Sequence, residues 1–192
     1  TGVDPQTVLG VSGTALDLTV LANQANTSSS AGDVGEFDGL TNPTIGLQGS
    51  GTADAPYIVI YLNTTSLQNI NVAYNLRDID GSIDNAVQAV ALQYRVGSSG
   101  NFTNVPAGFV ADASTGPNLA TLVTPVSAGL PAACNNAAEV QVRIMTTNAA
   151  GNDEWIVIDD INITGSPLSG NSTNSNIIAT GSFSAPDNIN YL

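Results

Sequence analysis

The densest group of acidic side chains lies in LRDIDGSIDNAV, Leu76 to Val87, where Asp78, Asp80 and Asp84 surround Gly81. Carboxylates this close in a loop suit a hard cation such as Ca²⁺, which accepts oxygens from loops of many shapes. The EF-hand pattern is not met. Counting from Asp78, the glycine falls at position four, Ser82 at position five and Ala89 at position twelve, where a bidentate Glu belongs. Two readings stay open: a looser calcium loop, or a solvated turn in which Asp80-Gly81 reverses the chain beside Arg77. A second acidic pair, Asp159 and Asp160, sits inside the strand-like WIVIDDINITG. Alternation predicts that one of the two faces the core, where a carboxylate needs a hydrogen-bond partner or a metal. Glu36 and Asp38 are further candidate calcium ligands.

Other chemistry is limited by what the chain lacks. Its 192 residues include three basic side chains, Arg77, Arg95 and Arg143, with no Lys and no His. Imidazole general bases, Ser-His-Asp and Cys-His arrangements, Schiff-base lysines and the P-loop lysine are therefore absent, and the chain is expected not to be an enzyme. A net charge of −13 argues against nucleic acid, whose phosphates need clustered cations. Cys134 is the one cysteine, and it reads as a small buried hydrophobe. Sequons begin at Asn26, Asn63, Asn101, Asn162 and Asn171, in a composition rich enough in Asn, Ser and Thr to generate some by chance.

The elements that position these residues have a period of two. Ile70, Val72, Tyr74 and Leu76 alternate with polar or small residues; so do Val90, Leu92, Tyr94 and Val96, and then Val140, Val142 and Ile144. Such segments are strands with one face on a core. PYIVIYLN is a continuous apolar run and reads as a strand covered on both sides. No helical pattern of ten or more residues occurs. The prediction is an all-β chain, an antiparallel β-sandwich of jelly-roll type over residues 36–165, with arms at 1–35 and 166–192. If the alternating apolar residues face the core, Arg77, Arg95 and Arg143 project together from one side with Asn75, Gln93 and Gln141. Guanidinium beside amide suits sugar hydroxyls, carboxylates or a partner's surface; the alternative is local pairing with nearby Asp and Glu. Leu16, Leu18 and Val20 form an alternating strand tethered by a Ser/Gly-rich stretch, a candidate for completing a neighbour's sheet. Trp155 reads as a core-edge ring. No apolar run approaches the roughly 20 residues that span a bilayer, and the start at Thr1 suggests a processed form.

ALQYRVGSSGNFTNVPAG, followed by EVQVRIMTTNAAGNDEWIVIDDINITG, resembles a jelly-roll module of large secreted bacterial proteins. Such modules accompany extracellular nuclease/phosphatase-type or lamin-tail-type domains. The resemblance covers about Leu40 to Gly165 and implies an extracellular β-sandwich with an accessory, adhesive or structural role. It does not imply nuclease activity, because a chain without His lacks that family's usual base. Two expectations follow. The first is a structural subunit of an extracellular or cell-surface filament, polymerising with copies of itself through a terminal arm. The second is a calcium-dependent module that binds glycans.

Overall fold

The computed structural model describes residues 2–10, 20–28, 32–51, 53–79, 86–114, 123–149, 154–168 and 176–181. Among them are eleven strands: β1 (Val20–Leu21), β2 (Asp33–Phe37), β3 (Thr44–Gln48), β4 (Tyr57–Leu62), β5 (Leu67–Asp78), β6 (Val90–Val96), β7 (Thr103–Asn104), β8 (Val123–Gly129), β9 (Val140–Thr146), β10 (Ile156–Pro167) and β11 (Asn176–Gly181). Three short 3₁₀ turns, Pro5–Thr7, Pro106–Gly108 and Ala132–Cys134, are the helical elements of the described residues.

Pairing follows one rule through the middle of the chain. β3 pairs with β10, β4 with β9, β5 with β8 and β6 with β7, each antiparallel. The chain is thus a long antiparallel ribbon wrapped around its own core, which is the jelly roll. Wrapping places β3, β10, β5 and β8 in one sheet, and β4, β9, β6 and β7 in the other. The first sheet grows at its β3 edge, where β2 pairs with β3 and β1 adds in parallel to β2. β11 pairs with the later half of β10, beside the place where β3 leaves it. In this structure both chain-end strands, β1 and β11, complete the protein's own larger sheet.

Between the sheets lies the main core, in which Ile70, Val72, Tyr74 and Leu76 meet Leu92, Val140, Val142 and Ile144. These are the alternating positions of the sequence, and burying them removes one face of each strand from water. Cys134 is fully buried among them, and burial pushes its thiol up to about 11.

Two smaller clusters lie outside the sandwich. Phe37, Trp155, Val157 and Ile79 cover part of the outer face of the larger sheet. Their rings sit on two facing glycines, Gly35 and Gly46: a Cβ at Gly46 would come 2.6 Å from Phe37 Cε2 and 3.0 Å from Trp155 Cε3. Phe37 and Trp155 meet edge to face at 5.0 Å. The other cluster, Val8 with Ala55, Ala91 and Met145, lies on the outer face of the smaller sheet.

Two expectations about strands are corrected. β4 is an edge strand of its sheet, with Tyr61 69% exposed, so its apolar run is not covered on both sides. From Asp159 to Asn162 β10 advances three positions while β5 advances two, from Asn75 to Ala73, a bulge centred on Asp160 at φ 52°. The extra residue keeps Ile161 and Ile163 in the core and turns both aspartates to the outer face.

Candidate functional site

The smaller sheet has a polar outer face built from alternate residues of β6 and β9. Gln93, Arg95, Gln141 and Arg143 share it, as the alternation predicts, yet all four are buried and Arg143 has no exposed surface. The segment Gly2–Gly10 lies across them. Asp4 starts its 3₁₀ turn by accepting from the Gln6 amide, with Pro5 in the first position. The turn brings successive carbonyls over the sheet. Arg143 Nη2 donates to Val8 O at 2.7 Å and Nη1 to Gly10 O at 3.1 Å. Gln93 Nε2 donates to Pro5 O and Val8 O, and Asn104 Nδ2 to Gln6 O. Gln93 Oε1 in turn accepts from Arg143 Nε and Nη2.

Aromatic faces complete the seat. The Arg143 guanidinium lies 4.1 Å from the Phe102 ring centroid and 5.2 Å from that of Tyr57, and Arg95 lies 4.6 Å from Phe102. Arg95 also forks onto Gln141 Oε1 and reaches Gly100 O, while Gln141 donates to Glu139. Burial lowers the Arg143 pKa to about 10; the Tyr57 hydroxyl opposes that shift and neighbouring Arg95 adds to it. Carbonyl dipoles and π faces, rather than a carboxylate, are what the structure sets around this cation.

Arg77 stands elsewhere. It projects from β5 on the outer face of the larger sheet with Asn75, so the three arginines do not share one side. The sequence pattern correctly turned each away from the core, but β5 lies in the larger sheet while β6 and β9 lie in the smaller one. Arg77 Nη2 pairs with Asp159 at 2.9 Å, and Asn42 donates to the same carboxylate oxygen. Asn75 donates to Asp160, and Asn71 to Ser127 across the β5–β8 pair. Together with exposed Asn162, these side chains make an amide-rich strip across β8, β5 and β10.

The acidic candidates do not converge among the described residues. Asp80 and Asp84 lie outside them, Asp78 is buried at the end of β5, and Asp159 and Asp160 are held by the partners just named. Glu36 faces the Asn23 amide and Asp38 follows β2 in a turn. No three acidic, His or Cys side chains come together in metal-binding positions among the described residues. Leu16 and Leu18 also lie outside the described residues, while Val20 is exposed and forms β1. Asn26, Asn63, Asn101 and Asn162 are exposed; Asn171 lies outside the described residues. Among the described residues no helix is long and apolar enough to cross a membrane.

Sequence reasoning missed the segment Gly2–Gly10 as part of the site. Its signals were slight: an Asp-Pro turn start and one isolated apolar residue, Val8, with no periodicity to mark contact with a sheet.

No family model and no curated protein matches the chain. Among solved structures, it is similar to a carbohydrate-binding module described as specific for non-crystalline cellulose (CBM28). There the TM-score is 0.48 and the identity 9%, over 72% of this chain and 85% of that one. It is also similar to TmCBM61, solved with β-1,4-galactotriose, with a TM-score of 0.42 and 9% identity over 73% of this chain and 86% of that one. A third likeness, to the structure of infectious bursal disease virus Gx strain, has a TM-score of 0.37 and 13% identity. It covers 68% of this chain and 29% of that chain. At these identities the likeness is one of fold alone.

Proposed function

We propose that the chain is a non-catalytic, extracellular binding module that engages carbohydrate through the outer face of its larger sheet. The observation that carries this reading is the strip of Asn71, Asn75, Arg77, Ser127, Asp160 and Asn162 on three adjacent strands. Amides and hydroxyls both donate and accept, a carboxylate accepts and a guanidinium donates, which matches the mixed character of sugar hydroxyls. The strip rests on a rigid sheet, so ordering it on binding costs little. The buried arginine face of the other sheet is not part of this reading, because the Gly2–Gly10 segment occupies it. An extracellular setting is in keeping with the acidity and the four exposed sequons.

The test is a glycan array followed by calorimetry, on protein from a host that adds no N-glycans, since one on Asn162 would cover the strip. Binding should weaken at least about tenfold in Asn75→Ala and in Asn162→Ala, the cost of roughly one lost hydrogen bond to a ligand. Flat isotherms across the array, or binding untouched by both changes, would overturn the proposal. Arg77→Ala is unsuitable, because it strands the buried Asp159 carboxylate.

A further inference from the structure

We propose that β4 is a docking edge at which two copies of this chain join by strand addition, antiparallel and related by a two-fold axis through Val59. This is independent of carbohydrate binding, which concerns the opposite sheet. The strand runs Tyr57-Ile58-Val59-Ile60-Tyr61-Leu62, and from Tyr57 to Tyr61 it reads the same in both directions. An antiparallel pair centred on Val59 therefore sets Val59 against Val59, Ile58 against Ile60 and Tyr57 against Tyr61, like beside like on both faces. The backbone falls into the same register. Thr146 N donates to Pro56 O at 3.1 Å, and the unbroken β4–β9 pairing carries that pattern on to Ile58, Ile60 and Leu62. Tyr57, Val59 and Tyr61 thus turn their N–H and C=O groups away from β9, toward the open side. These are the residues that an axis at Val59 brings opposite one another, so each outward donor meets an outward acceptor.

The edge is also unguarded. β1 and β7 have two residues each and β8 carries Pro125, devices that discourage strand addition. β4 has six residues, no proline, no charge and no bulge. Ile58 and Ile60 pack on the core yet stay only partly buried, because β4 ends its sheet, and Tyr61 is exposed. A second strand covers these flanks. Charge makes a copy of the chain its fitting occupant. A net charge of −13 sets copies against each other over most of their surface. Yet no charged residue occurs from Ala55 to Leu76, and β9 sets Arg143 beside Val59. Two four-stranded sheets so joined become one continuous sheet. The pairing uses up the edge on both copies, so assembly stops at a dimer.

The test begins with sedimentation of the full chain, made without N-glycans because the exposed Asn63 sequon adjoins the strand. A dimer, and nothing larger, should appear as concentration rises. Val59→Pro removes an outward N–H and leaves the bonds to β9 in place, so it should raise the dimer dissociation constant at least tenfold. A parent protein that stays monomeric, its edge left to some other extended chain, would overturn the proposal, as would a dimer indifferent to Val59→Pro. Oxidative cross-linking checks the register in folded protein. Facing residues of a hydrogen-bonded antiparallel pair have Cα atoms about 5.5 Å apart, within disulfide reach, so Val59→Cys should cross-link to its copy. Tyr61→Cys stands two residues from the axis, which puts its counterpart about 13 Å away along the strand, beyond reach. Cys134 is fully buried and does not compete. No cross-link at Val59→Cys, or equal cross-linking at Tyr61→Cys, would likewise overturn the two-fold pairing.

Discussion

Arg143→Met removes the charge that holds the Gly2–Gly10 segment while keeping most of the apolar stem. The change strands Gly10 O and Gln93 Oε1, which accept from the guanidinium, and leaves Val8 O with the Gln93 amide as its donor. Hydrogen bonds to a charged donor contribute about 1.5–3 kcal/mol each, and a desolvated cation–π contact about 2 kcal/mol. Against that sum stands the desolvation of the cation, several kcal/mol, which the methionine no longer suffers. We take the net loss as about 2–4 kcal/mol, falling on segment docking rather than on the sandwich. Tenfold in an equilibrium corresponds to about 1.4 kcal/mol. Opening of the segment should therefore become about 30- to 700-fold more frequent. The reporter is the Phe102 amide, bonded to Leu9 O at 2.8 Å, read by hydrogen exchange against a β5 amide inside the sandwich. Phe102 should lose protection by that factor while the β5 amide holds. Unchanged exchange at Phe102 would refute the claim that Arg143 holds the segment. Equal loss at both sites would show that the segment and the sandwich unfold as one unit. Arg143→Lys should fall between, because an ammonium cannot fork onto Val8 and Gln93 together.

Tyr74→Phe should leave stability unchanged or raise it by about 1 kcal/mol, because no described group bonds the buried hydroxyl; a clear loss in urea titration would reveal a partner. Burial holds the Tyr74 phenol above its ordinary range and Cys134 at about 11, so both stay protonated in the fold while the unfolded chain ionises lower. The stability they contribute is present below the unfolded values, near 9 for the thiol, and is lost as pH rises through the folded ones. Arg143, lowered to about 10, has the opposite sign and recovers stability above that pH. Urea midpoints should accordingly fall above pH 9, and Cys134→Ala should flatten the first part of the fall; a flat profile in the parent protein would contradict it. Gly46→Ala should cost about 1–3 kcal/mol, since its Cβ would press on Phe37 and Trp155, whereas Gly129→Ala, with open space around it, should cost little. Calcium binding at Asp78, Asp80 and Asp84 is checked by melting with and without chelator. Chelation should lower Tm and Ca²⁺ should restore it; an identical curve would remove the metal.

The alternation of Ile70 to Leu76, Val90 to Val96 and Val140 to Ile144 made the half-buried strands and their core faces legible, because a period of two follows from strand geometry alone. Periodicity says which residues share a face of one strand. It does not say which sheet that strand joins, so Arg77 was grouped with Arg95 and Arg143. The bulge at Asp160 was equally hidden: one inserted residue flips the facing of everything on one side of it, and no local composition marks the insertion. Gly35 and Gly46 are similar. Their glycine character answers to Phe37 and Trp155 overhead, a contact across more than a hundred residues of sequence in the case of Trp155.

The two polar faces of the sandwich carry the same side-chain types and differ in what lies over them. On the smaller sheet, burial drives guanidinium and amide groups to satisfy backbone carbonyls, because an unpaired buried donor costs more than an exposed one. Those residues are committed to holding chain. On the larger sheet, Asn71 pairs with Ser127 and Asn75 with Asp160 near water, where such bonds exchange readily for bonds to a ligand. A ligand of matching hydrogen-bond character can therefore compete for the second face with little loss. The first yields only to another segment that offers the same carbonyls. That difference leaves the larger sheet open to small polar ligands and keeps the smaller one for the chain's own segment.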